Sequence, residues 1–228
     1  MAVVLHAGYS VVVSGDDGSV RGTGREGVYD TDTRLLKAFA YTLAEAPPRL
    51  VGSEQLAAHR WRGWLVVPSP TRTSDIAGPA LPQDVLDLRI DRAVGPGVID
   101  HLTIANRSGA AVRTALRLEV EPDFADVQEV DGRRRQQGRL QPAAVVGERS
   151  WRYLAERGEA RFERGVRVRV TDQSGAPIGP FELPVALEPH ADVTFVVVVE
   201  PWADGTWRTP DPARQDSRLE GWDGRRTR

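Results

Sequence analysis

The sequence predicts an all-β fold, a large antiparallel β-sandwich with little helix, and three observations carry that expectation. Val112, Thr114, Leu116, Leu118 and Val120 alternate with Arg113, Ala115, Arg117, Glu119 and Glu121, the period of a strand with one buried and one wet face. Leu86, Leu88 and Ile90 alternate with Asp87, Arg89 and Asp91 in the same way, as do Val166, Val168 and Val170 with Arg167 and Arg169. Short β-branched runs are separated throughout by Gly, Pro and Asp, which suits a sandwich or barrel better than alternating βαβ units.

In chain order, Val11 to Ser14 reads as a strand closed by the turn Gly15-Asp-Asp-Gly18. Next comes the segment from Gly27 to Leu36, in which Asp30, Asp32 and Arg34 are spaced by two. On an extended chain those three would share one face. Such a face is too charged to be buried unpaired, so Arg34 is expected to hold a carboxylate. Pro68 to Pro82, with four prolines and no period, reads as a long exposed loop of the kind that contacts ligands or partners.

The strands at 98–106 and 111–121 flank Asn106-Arg-Ser-Gly-Ala110, whose Asn and Gly suit a tight connection, so the pair reads as a hairpin. Beyond Pro201 the alternation stops, and Trp202, Trp207 and Trp222 are scattered among polar residues. The expected division is therefore a sandwich over 1–200 and a linker or docking tail over 201–228. The tail's tryptophans would fold back on the sandwich or drive homo-oligomerisation.

Composition narrows the function classes. The chain has 228 residues, long enough for a single β domain with a sizeable core. With 30 basic and 32 acidic residues the net charge is −2, so no global field attracts nucleic acid or an anionic membrane, and a neutral polar partner fits better. There are no cysteines, which excludes disulfides and thiolate chemistry. His6, His59, His101 and His190 do not fall at metal-ligand spacing, and no metal or other cofactor is expected. The start has neither a basic n-region nor a long apolar core, and the apolar run Val193 to Val199 is too short to span a bilayer. The expectation is a cytoplasmic protein.

Gly22-Thr-Gly-Arg-Glu-Gly27 matches G-x-G-x-x-G by letter, but β-branched and acidic residues come after it instead of a helix start, so it reads as a glycine loop. Arg133-Arg-Arg135, without interleaved aromatics, reads as a solvated hairpin tip. Trp61 and Trp64 lie three apart beside the proline-rich loop; their rings are candidates for stacking on a sugar, with core packing as the other reading.

Two acidic segments carry a family resemblance. Gly27-Val-Tyr-Asp-Thr-Asp-Thr-Arg-Leu-Leu36 resembles the D-T-R signature of the amino-terminal domain of bacterial glycogen debranching enzymes of the amylo-α-1,6-glucosidase type. Asp123-Phe-Ala-Asp-Val-Gln-Glu-Val-Asp-Gly132 resembles that domain's later D-F-A-D-x-F-E-V-R-G segment, with Gln128 in place of the aromatic and Asp131 in place of the arginine. The stretches Leu5 to Gly18 and Asp100 to Arg107 match in order and spacing, so the resemblance spans roughly residues 3 to 200. It implies a super-sandwich-like domain placed before a helical catalytic barrel that carries the glycosidase carboxylates.

The sequence supports three functional readings. In the first, the chain is a non-catalytic sandwich that supports a helical catalytic domain, from the same gene or a separate chain, and contacts α-glucan. Asp30, Asp32, Arg34, Asp123, Asp126 and Glu129 then form structural ion pairs, with Asp126 as the expected partner of Arg34. In the second, it is a stand-alone carbohydrate-binding protein using Trp61, Trp64 and the loop 68–82. In the third, Asp30 with Asp32, or Asp123 with Asp126 and Glu129, supply the carboxyl pair of a glycosidase.

Overall fold

The structure, a computed structural model, describes residues 2–67, 84–132, 138–157, 160–179, 181–211, 213, 214 and 216. The first half of the chain forms β1 (Val3–Ala7), β2 (Ser10–Ser14), β3 (Gly27–Asp30), β4 (Thr33–Leu43), β5 (Arg49–Ala57), β6 (Arg60–Val67), β7 (Leu86–Gly95) and β8 (Gly97–Asn106). The second half forms β9 (Val112–Asp126), a short helix α1 (Val127–Asp131), β10 (Arg139–Val145), β11 (Glu148–Arg157), β12 (Ala160–Asp172), β13 (Glu182–Leu187), β14 (Asp192–Ala203) and β15 (Thr206–Trp207).

Two antiparallel sheets face each other. One runs β1-β2-β3-β4-β9-β13, the other β10-β11-β12-β14-β8-β7-β6-β5, with β15 added to β14. The alternation legible in the sequence becomes the core between them: Leu5, Val12, Phe39, Leu116 and Leu183 from one sheet meet Leu65, Leu88, Leu102, Val168 and Val197 from the other.

The expected hairpin between the strands at 98–106 and 111–121 is a crossover instead. Both edges of β8 are taken, by β7 and β14, and β9 pairs with β4 and β13 in the other sheet. The link is held by Asn106, whose Nδ2 donates to the carbonyls of Ala110 (2.7 Å) and Glu188 (3.1 Å) while its Oδ1 accepts from the Ser108 amide (3.0 Å).

The expected boundary at residue 200 falls inside β14, and the described residues just beyond it pack on the sandwich. Trp202 pairs with Gly165 of β12, and β15 occupies the side of β14 that β8 leaves at Val199. The Trp202 and Trp207 rings meet edge to face at 5.3 Å, and the Arg152 guanidinium stacks 3.5 Å from the Trp202 centroid. These aromatics are therefore covered by each other and by the Arg152 side chain on the outer face of the sheet. Farther on, Asp216 reaches His59 Nε2 at 2.9 Å and Arg60 Nη2 at 2.5 Å. Trp222, the loop 68–82 and Arg133 to Arg135 lie outside the described residues.

Candidate functional site

The D-T-R segment does not present a single charged face. β3 ends at Asp30, Thr31 and Asp32 form a hairpin turn, and Asp30 lies opposite Thr33 at the start of β4. The chain reverses because Thr31 takes a left-handed φ of 55°, a costly conformation for a β-branched residue, and its amide donates to the Tyr9 carbonyl at 2.9 Å. As a result the three charged residues separate: Asp30 is buried, Asp32 is exposed in the turn and Arg34 points toward β9.

Arg34 pairs with Asp123 and not with Asp126. Its Nε donates to Asp123 Oδ2 at 2.7 Å, Nη2 donates to the same oxygen, and Nη1 donates to the Glu26 carbonyl at 3.3 Å. A bulge decides the partner: β9 takes three steps from Pro122 to Ala125 where β4 takes two, from Leu36 to Arg34. Inside that bulge Phe124 adopts φ 56° and stacks in the core on Tyr153, rings 5.5 Å apart, while Asp123 is left beside Arg34.

Asp126 has a different task. It is the N-cap of α1: its Oδ1 accepts from the Glu129 amide at 2.7 Å, and Glu129 Oε2 accepts from the Asp126 amide at 3.2 Å. The start of the helix is pinned to the neighbouring turn through Val127 N and Asp32 O at 3.0 Å. Asp131 pairs with Arg25 of the glycine loop (Nε to Oδ1 2.8 Å), and Tyr29 donates to the Arg25 carbonyl at 2.8 Å. The two acidic segments are thus one corner of the sandwich, joined by Arg34, the Val127–Asp32 backbone bond and Arg25.

Asp30 belongs to the adjacent end. Its Oδ1 accepts from Ser10 Oγ at 3.0 Å, and Ser10 Oγ in turn accepts from the Gly97 amide at 3.0 Å. Gly97 sits at φ 109°, and a Cβ there would lie 2.2 Å from the Val199 carbonyl oxygen, so only glycine brings this amide to Ser10.

The tryptophan pair is split by strand geometry. Residues three apart on β6 point to opposite faces. Trp61 is buried, with its ring so close to the backbone that a Cβ on Gly63 would lie 2.2 Å from it, and it cannot meet a sugar. Trp64 is 41% exposed on the outer face, with the Arg62 guanidinium 5.8 Å from its ring centroid.

The sequence reading missed Arg92, Asp100 and Tyr41, a buried trio in which Arg92 and Tyr41 both donate to Asp100. Extending the alternation Leu86, Leu88, Ile90 by one step puts Arg92 on the inward face, and that was the available signal. Burial of Tyr41 pushes its phenol well up, and the neighbouring Asp100 charge adds to the effect. No group of three or more His, Asp or Glu suited to a metal ion occurs among the described residues, and no helix among them is long and apolar enough to cross a membrane.

In comparisons with known proteins, the family model for the N-terminal domain of some glycogen debranching enzymes matches residues 5–198. No curated protein matches the chain in sequence. Among solved structures, a galactose mutarotase-like protein from Clostridium acetobutylicum is similar at 7% identity and a TM-score of 0.45, over 88% of this chain and 95% of that one. With the family model covering most of the sandwich, including both acidic segments, the chain belongs to the family of N-terminal domains of glycogen debranching enzymes.

Proposed function

We propose that this chain is a non-catalytic β-sandwich that supports a helical catalytic barrel acting on α-glucan and itself contacts the glucan. The observation that carries the reading is what the motif carboxylates do: Asp123 is held by Arg34, and Asp126 and Glu129 close a capping box. Glycoside hydrolysis needs two carboxyls free to reach opposite sides of one bond, and groups bound in this way are positioned for structure. A surface for the barrel is available on the β10–β11 ribbon, where every residue of β10 is exposed and Leu140, Val145 and Val146 present apolar side chains to solvent. A cytoplasmic location goes with this role.

The second reading, a stand-alone carbohydrate-binding protein, is favoured by Trp64, an exposed indole on an outer sheet face. One experiment separates the two. The purified chain is incubated with phosphorylase limit dextrin, alone and with a separately produced barrel domain of a glycogen debranching enzyme, while sugar release and complex mass are followed. The proposal expects no release by the chain alone and a defined complex with the barrel. Release by the chain alone, abolished in Asp126→Asn, would overturn it; glucan binding without a complex would favour the second reading.

A further inference from the structure

Asp30 has a carboxylate oxygen that accepts no hydrogen bond from the described residues. The residue is 2% exposed, its Oδ1 is fixed by Ser10, and its Oδ2 accepts no hydrogen bond among the described residues. Arg208 Nη1 forms an ion pair with that oxygen at 3.7 Å, too far for a hydrogen bond. A buried carboxylate oxygen without a donor is costly. The Arg92–Asp100 pair shows how the same protein closes both oxygens of a buried carboxylate when structure is its task.

Asp30 and Arg208 together line a cavity of about 330 Å³ at the end of the sandwich, where the Gly8-Tyr9 turn, Pro96, Thr209, Asp211 and Arg214 converge. That volume lies at the low end of the roughly 300–1,000 Å³ of small-molecule sites. Among the described residues, the charged groups on its wall are Asp30, Asp211, Arg208 and Arg214, two of each sign. An anion would face the buried Asp30, and a cation would face both arginines, so the balance selects a neutral polar ligand. Tyr9, 74% exposed at the rim, adds a flat aromatic face with a hydroxyl.

We propose that this cavity is a subsite for one neutral pyranose ring, in which Asp30 Oδ2 accepts a sugar hydroxyl, Arg208 and Arg214 donate to others, and Tyr9 stacks on the ring. The α-glucan origin of that ring rests on the function proposed above; the site itself rests on the geometry. Arg208 comes from the segment after β15, so the part of the chain that the sequence marked as a tail completes the site.

Titration calorimetry of the full chain with maltohexaose, and separately with cellohexaose, tests the proposal in the parent and in Tyr9→Ala, Arg214→Ala and Asp30→Asn. Tyr9 and Arg214 are exposed, so their variants should melt with the parent and keep the test valid even if Asp30→Asn unfolds. The expected result is maltohexaose binding weakened about ten-fold in Tyr9→Ala, the scale of one lost stacking contact, and weakened also in Arg214→Ala. Binding of cellohexaose alone, with the same loss, would support the pyranose site while removing its debranching context. Maltohexaose binding unchanged in both variants, or no binding of either sugar, would overturn the proposal; barrel association is read independently.

Discussion

Arg92 of β7 and Asp100 of β8 lie directly opposite each other in register and form a fully buried, two-point ion pair, Nε to Oδ1 at 2.8 Å and Nη2 to Oδ2 at 2.7 Å. The remaining bonds reach across the core to the other sheet. Tyr41 of β4 donates to Asp100 Oδ2 at 2.8 Å, and Arg92 Nη1 donates to the Gly18 carbonyl at 2.6 Å. The pair therefore ties the two sheets together at a fixed point, where apolar packing alone would tolerate sliding.

Arg92→Met should lower stability by about 3–5 kcal/mol, because Asp100 is left charged and buried. Tyr41→Phe, which removes one donor from a carboxylate still held by Arg92, should cost about 1–3 kcal/mol. Urea unfolding of both variants checks the ranking, and equal losses would show that the ion pair is not the dominant tie.

At the acidic corner the ranking separates Asp123 from Asp126. Asp123→Ala strands Arg34, whose side chain is 11% exposed, and should cost about 3–5 kcal/mol. Asp126→Ala removes a helix cap and should cost about 1 kcal/mol. Thermal melts of the two variants should differ clearly; a larger loss in Asp126→Ala would mean that the helix cap, and not the ion pair, holds this corner.

The same corner shows what sequence alone conveys. Strands with one wet face were legible because period-two alternation survives wherever a face is buried, as at Leu86 to Ile90 and Val112 to Val120. Partner choice was not. Whether Arg34 meets Asp123 or Asp126 depends on one extra residue in β9, and a bulge leaves no mark on composition. Similarly, the chemistry of Asn106 to Ala110 announces a turn but not which sheet receives the next strand. Asp30 was legible as a motif residue; its open oxygen arises from Ser10 and Gly97, which only the folded chain brings to it.

Removing the chain after Asp204 should destabilise the sandwich, contrary to the behaviour of a detachable tail. The deletion takes away β15, the Trp207 ring that lies 4.6 Å from the Arg167 guanidinium, and the Thr209 hydroxyl that donates to buried Glu200. A loss of cooperativity or a clear fall in melting temperature is the expected outcome; an unchanged melt would return the boundary to residue 200.

Glu200 also sets an acid response. Burial alone would raise its pKa, but hydrogen bonds from Arg169, Thr209 and Arg167 outweigh that and hold it below its ordinary value of 4.5. The unfolded chain therefore takes up this proton at higher pH than the folded one. The contribution is fully present above the ordinary value and is lost as pH falls through the lowered one. Glu200→Gln, which keeps the shape but removes the charge facing two arginines, should be less stable than the parent at neutral pH by about 1.5–3 kcal/mol. Its deficit should shrink as pH falls below the ordinary value of 4.5 and through the lowered one, because the parent then loses the same charge. Urea midpoints of both proteins across that range decide the matter: a deficit that stays constant would mean the glutamate acts by packing, and not through its charge.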